Sequence, residues 1–255
     1  MICKNCTTSF KGKFCFNCGQ KSSVGELNLH DLFHEFWHAV THTDRGILKL
    51  INDLSLHPKR VYLGYFSGQR KTYFSPVTFF LVSVTLLLLI GEKIYDYEDY
   101  YYRATNPHGI NEFGRYAFAA TKITTLFTLP FEIALTWLLF RKQYNLAKII
   151  VFWIYFQGFI FTIQLLLSPL YFVLIEYKKS IDSIVIFSSY LLLFWHIAAV
   201  FGGQKWKRYV AAFCIVNFVY IISNLVTSYM LFESKIFEVT KTSGVFDLIL
   251  HFYTS

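Results

Sequence analysis

The chain has 255 residues, of which 55% are hydrophobic, 20% aromatic and only 16% charged, with a mean hydropathy of +0.41. Soluble domains hold roughly 25% charged residues, so a disordered chain is excluded and too little charge remains to keep a surface of this size in water. A net charge of +8 fits cationic loops on one side of a membrane better than nucleic-acid binding, which is not expected.

Residues 1–21 (MICKNCTTSFKGKFCFNCGQK) form a small polar module holding four of the five cysteines: Cys3, Cys6, Cys15 and Cys18. The segment lacks an apolar stretch, so no cleavable signal peptide is expected and the thiols are placed in a reducing cytosol. The pattern is C-x2-C-x8-C-x2-C with Gly19 after the last cysteine. Each Cys-x-x-Cys turn can aim two thiolates at one ion, and two turns complete the tetrahedral shell that suits structural zinc. A hairpin around Lys11-Gly12 is expected to bring the pairs together. An iron–sulfur cluster and thiol redox chemistry are the rivals, the latter without its usual βαβ setting. So short a module cannot fold on an apolar core alone, so the ion would supply the folding energy. No internal repeat is evident in the chain.

Residues 22–72 read as an amphipathic helical hairpin with a basic juxtamembrane end. A first helix from Asn28 to His42 carries Leu29, Leu32, Phe33, Phe36, Trp37 and Val40 on one face and His30, His34, His38 and His42 in a stripe at i, i+4. His34, Glu35 and His38 match H-E-x-x-H, in which two histidines bind zinc and the glutamate activates water. That makes them candidate metalloprotease residues, although Thr41 stands where the usual glycine would be and the favoured reading is an interfacial helix. A second helix, capped by Asp44, should place Ile47, Leu48, Leu50, Ile51 and Leu54 on one face, and Pro58 ends or restarts it. Lys59, Arg60, Arg70 and Lys71, interleaved with Tyr62, Tyr65, Phe66 and Tyr73, suit a membrane surface: cations attract anionic headgroups and aromatic rings sit at the interface.

Several stretches together resemble the bacterial membrane family catalogued as domain of unknown function 3667. They are Cys3-Lys4-Asn5-Cys6, Lys11 through Cys15, Cys18-Gly19-Gln20, Thr41 through Gly46, Pro58, and Gly68 through Pro76. The resemblance implies an N-terminal zinc-ribbon-like module on a multi-span protein, and no activity.

Residues 73–255 contain five apolar runs, near 73–91, 118–140, 149–175, 183–201 and 209–232, each near the 20 residues that cross a bilayer. The third could tilt, kink at Pro169 or extend past the surface. Arg141, Lys142, Lys148, Lys205, Lys207 and Arg208 fill two loops, whereas the 92–117 and 176–182 loops balance cations with acids. This asymmetry places the N-terminus in the cytoplasm and the C-terminus outside, and the family resemblance implies that the membrane is a bacterial inner membrane. Glu132 and His196, with Lys122, Gln157, Gln164, Asn217 and Asn224, are polar residues within spans. They either bond helix to helix or line a polar pathway in which Glu132 and His196 work as a pair. Cys214 is expected to be a small buried residue.

The expected fold is thus an all-α integral membrane protein of about five spans with a small zinc ribbon and a cytosolic helical hairpin. The expected function is protein interaction or self-association through the zinc module. An oligomeric channel or transporter is the first alternative and a membrane metalloprotease the second.

Overall fold

The computed structural model describes residues 1–25, 27, 46–105, 128–202, 207, 209–211, 213–219, 221–222 and 225. The first amphipathic helix with His34, Glu35 and His38, the candidate cap Asp44, and the span residues Lys122 and Asn224 lie outside the described residues.

Among the described residues all extended regular structure is helical. Helix α1 (Ile47–Leu56) buries Leu50, Asp53 and Leu54. Leu48, expected on the same face, is 80% exposed, because two residues before Leu50 is about 200° round the helix. Pro58 restarts the chain as α2 (Pro58–Phe66); the first helical turn is where a missing N–H costs nothing. Helix α3 (Pro76–Thr105) has 30 residues and so continues as helix through much of the stretch expected as the 92–117 loop. Helix α4 covers Thr128–Phe140. Helix α5 (Leu146–Val173) is capped by the Asn145 side chain, which accepts from the Lys148 amide at 3.0 Å. Inside α5, Pro169 removes a backbone donor, and the Ser168 hydroxyl donates to the Leu165 carbonyl at 2.7 Å in its place. A 3-10 turn (Ile175–Tyr177) leads into α6 (Lys178–Ile197), which ends in a π-helical turn (Ala198–Gly202). Helix α7 spans Tyr209–Val219.

Helix directions follow from the partners along α5. Ser83 meets Thr162 at 2.9 Å and the Tyr97 hydroxyl donates to the Phe172 carbonyl at 3.3 Å, so α3 and α5 run parallel. Gln157 meets Glu132 and Trp153 meets Thr136, so α4 is antiparallel to α5. His196 stacks on Phe159 while Tyr171 donates to Asp182, so α6 is antiparallel as well. From α3 to α6 the chain therefore alternates up and down. Gly158 permits the close approach of α3 and α5: a Cβ there would lie 2.8 Å from a Phe79 ring carbon and 3.2 Å from the Phe80 Cα.

Two helical segments, Leu146–Val173 and Ser180–Gly202, are long and apolar enough to cross a membrane; Pro76–Gly91, Thr128–Phe140 and Tyr209–Val219 are shorter apolar stretches. Large apolar side chains face outward on each of these helices, among them Leu89, Phe131, Leu166, Phe187 and Phe213.

The core joins α1 and α2 to the apolar helices. Leu50 and Leu54 of α1, Val61, Tyr62 and Tyr65 of α2, and Phe152, Tyr155 and Phe159 of α5 belong to one buried cluster. The aromatic residues expected at a membrane interface are thereby corrected: Tyr62, Tyr65 and Tyr73 are all buried. Their hydroxyls make burial affordable, since a phenol can enter a core when its O–H finds a partner. Tyr73 donates to Asp53 at 2.8 Å, and the Tyr62 hydroxyl lies 2.9 Å from His196 Nδ1. Cys214 is exposed on α7, not buried, beside the equally outward Phe213.

Candidate metal centre

The cysteine module is a tandem repeat whose backbone similarity extends beyond the shared C-x-N-C residues. Ile2 bridges Ser9 and Phe14 bridges Lys21, each antiparallel, and the second bridge is the first displaced by twelve residues. The hydrogen bonds repeat with the same offset. Cys3 N donates to Thr8 O at 3.0 Å and Cys15 N to Gln20 O at 2.9 Å; Thr7 N donates to Cys3 O at 3.0 Å and Gly19 N to Cys15 O at 2.8 Å. Thr7 (φ 60°) and Gly19 (φ 71°) take the same left-handed position after the second cysteine of each pair. Glycine reaches that conformation freely and threonine only with strain. The pairing thus closes each Cys-x-x-Cys turn on itself; no bridge pairs strands across Lys11-Gly12, where the hairpin was expected.

The two turns face each other. Cys3 and Cys18 sulfurs lie 3.5 Å apart, Cys6 and Cys15 sulfurs 3.6 Å, and all four lie within 4.8 Å of one another. A disulfide needs about 2.05 Å, and all four are free thiols. Ligands about 2.3 Å from a tetrahedral ion stand roughly 3.8 Å from each other, so the four sulfurs have the spacing of a four-thiolate shell and could hold a metal ion. Hydrogen bonds from Thr8 pull the Cys6 thiol down to about 6, whereas desolvation pushes Cys18 up to about 12. Of these two thiols, Cys6 is the one poised as a thiolate. Thr8 Oγ1 lies 3.3 Å from Cys6 Sγ and accepts from the Asn17 amide at 3.2 Å, tying the two turns together.

One edge of the module is docked on the turn between α2 and α3. Gln20 Nε2 donates to Gly68 O at 2.8 Å while its Oε1 accepts from the Arg70 amide at 3.2 Å. Asn5 Oδ1 accepts from the Lys71 amide at 3.1 Å and from the Thr72 hydroxyl at 2.8 Å. Gly68 is at φ 102°, and a Cβ on it would lie 3.2 Å from Lys4 Cδ and 3.3 Å from Val24 Cγ1. Asn5, Gln20 and Gly68 are the residues that motif reasoning left without a role. The signal for them lies in the twelve-residue offset, which sets Asn5 against Asn17 and Gln20 against Thr8, and in polar side chains flanking thiols. Ile2, Phe14 and Phe16 are exposed, at 73%, 56% and 79%.

The remaining candidate residues are placed as follows. Lys59, Arg60 and Lys71 are exposed; Arg70 is partly buried, with its guanidinium 3.5 Å from the Gly25 carbonyl. Glu132 is buried, takes the Gln157 amide at 3.4 Å and also bonds Thr128. His196 bonds Tyr62 and the Leu54 backbone and is ringed by Phe156 and Phe159. The two groups face different partners and share no hydrogen bond among the described residues. Burial pushes the Tyr62 phenol well above its ordinary value, so its hydroxyl stays neutral beside the imidazole. Gln164 is half-buried on α5, and Asn217 is exposed, donating to Phe213 O in its own helix at 2.8 Å.

Residues 44–88 match the family model described as Protein of unknown function (DUF3667), which bears out the resemblance read from the sequence. The matched stretch runs from α1 through α2 and the docking turn into α3. No curated protein and no solved structure matches the chain.

Proposed function

With residues 44–88 carrying the signature of a family of unknown function, we propose that this is a five-span protein of the bacterial inner membrane. Its N-terminus is cytoplasmic and its C-terminus outside. Cys3, Cys6, Cys15 and Cys18 hold one structural zinc ion, and the folded module is the surface through which the protein meets a protein partner or a second copy of itself.

The observation that carries this reading is the docking of the cysteine module. Asn5 and Gln20 fasten the module to the turn just before α3, while Ile2, Phe14 and Phe16 stay exposed. Exposed aromatic side chains on a rigid frame are what interfaces use as anchors. The alternating directions of α3 to α6 and the outward apolar side chains support the membrane reading. So does the charge distribution: Lys59, Arg60, Arg141, Lys142 and Lys148 gather at the end that carries the module, whereas Asp96, Glu176 and Asp182 lie at the other. The pathway reading has less support, because Glu132 and His196 are each engaged by helix-to-helix bonds.

The test measures zinc and contact together in the full chain. Wild-type protein should contain one zinc per chain, and Cys15→Ser with Cys18→Ser should contain none. A photo-crosslinker at Phe16 should capture a defined protein neighbour in the wild type and lose it in the cysteine variant. Unchanged zinc in that variant, or no crosslink from Phe16 in the wild type, would refute the proposal. Two zinc ions per chain would instead favour a second site at His34 and His38.

A further inference from the structure

A cleft of about 760 Å³ opens between α2 and the end of α6, with no cysteine in its lining. Its polar wall is the first turn of α2, with Lys59 and Arg60 after His57 and Pro58; its apolar wall is Leu63, Trp195 and Ala199. Both cations are exposed, and among the described residues neither forms an ion pair. The positive end of the α2 dipole adds to their charge. Two adjacent cations, a helix N-terminus and a wall of apolar carbon within one concavity form a site for an anion that carries a greasy body.

The surface below the cleft says which body. Ile184, Phe187, Leu191 and Trp195 recur at three- and four-residue spacing on α6 and are exposed at 66%, 65%, 56% and 51%. They form one stripe about 17 Å long, leading from the cleft toward the opposite end of the molecule. A free phosphate or a soluble phosphoester would use the cations and leave the stripe unmatched. We infer that the cleft binds one anionic phospholipid, with its phosphate on Lys59 and Arg60 and an acyl chain laid along Trp195, Leu191 and Phe187. The inference rests on the membrane reading above and deepens it. These two cations would grip an individual lipid, whereas Lys71 lies on the docking turn and outside the cleft lining.

Native mass spectrometry of the full-length, metal-loaded protein in detergent tests the site. Phosphatidylglycerol should be retained as a single adduct, more strongly than phosphatidylcholine, and glycerol 3-phosphate should not compete at equal concentration. Lys59→Gln with Arg60→Gln should weaken phosphatidylglycerol retention about 30-fold, taking each juxtamembrane cation at its usual worth; Lys71→Gln should leave it unchanged. Ala199→Phe, which fills the cleft and keeps both cations, should lower retention too. Zinc content and melting temperature equal to wild type show that each variant is folded. Equal retention in the double variant, equal retention of phosphatidylcholine, or competition by glycerol 3-phosphate would each overturn the lipid site. Fractionation of wild-type cells separates the two readings. A soluble wild type sinks the membrane reading and the site together, whereas an embedded wild type whose double variant still holds the lipid sinks the site alone.

Discussion

Gln20 shows how much one amide can carry. It is buried at 3% exposure and uses both ends of its side chain, donating to Gly68 O and accepting from Arg70 N. Leucine would fill the space and leave a carbonyl and an amide unpaired in the contact, at about 1–3 kcal/mol. Gln20→Leu should therefore lower the melting temperature and speed proteolysis between the cysteine module and α1, with zinc content unchanged because no sulfur moves. Loss of zinc together with docking would mean that Gln20 shapes the metal turn itself. At the same scale, Asn5 and Asn17 are twelve residues apart and do different work: one grips the 71–72 backbone and hydroxyl, the other ties Thr8 across the module.

Among the elements, α3 and α5 pack closely along much of their length. They run parallel, with Phe80 against Phe161, Ser83 against Thr162 and Tyr97 against Phe172. The approach depends on Gly158, where an added Cβ would press within 2.8 Å of the Phe79 ring and 3.2 Å of the Phe80 backbone. Small residues let helices pack closely in lipid, where no hydrophobic force draws them together. Gly158→Ala should cost about 1–3 kcal/mol through overpacking, read as a lower melting temperature in detergent. A trimmed Phe79 (Phe79→Leu) should restore part of the loss. Restoration would identify the ring as the obstacle; a loss that persists would place it at the Phe80 backbone.

For the whole molecule the relevant property is polarity along the helix axes. The cysteine module, α1, α2, the 141–145 turn and the π-helical turn of α6 are gathered at one end, linked by Asn145 to Leu27 O at 2.8 Å and by Tyr144 to Val200 O at 3.2 Å. Tyr101 with Glu176 and Tyr171 with Asp182 lie at the other. A phosphatase reporter inserted after Lys178 should be active, because that enzyme folds outside the cytoplasm, and one inserted after Arg141 should be silent. Activity at both insertions, or the reverse pattern, would remove the orientation proposed here.

The amino-acid sequence by itself determined what depends on near neighbours in the chain. The spacing of Cys3, Cys6, Cys15 and Cys18 already implies a four-thiolate cluster, because each turn closes over a few residues of backbone. The apolar run expected at 149–175 appears as α5, Leu146–Val173, because a segment without polar side chains must satisfy its backbone internally. The tertiary structure decided what depends on partners far along the chain. Tyr62 and Tyr73 read as interfacial because nothing nearby in sequence offers a phenol a buried acceptor; His196 and Asp53 do so only after folding. Glu132 and His196 lie against the same stretch of α5, yet helix rotation turns one toward Gln157 and the other toward Tyr62. The twelve-residue repeat is carried by backbone hydrogen bonds and by the shared left-handed turn at Thr7 and Gly19. In the sequence it shows only at Cys3-Lys4-Asn5-Cys6 and Cys15-Phe16-Asn17-Cys18, because two turns need only the same backbone path to present two thiolates to one ion.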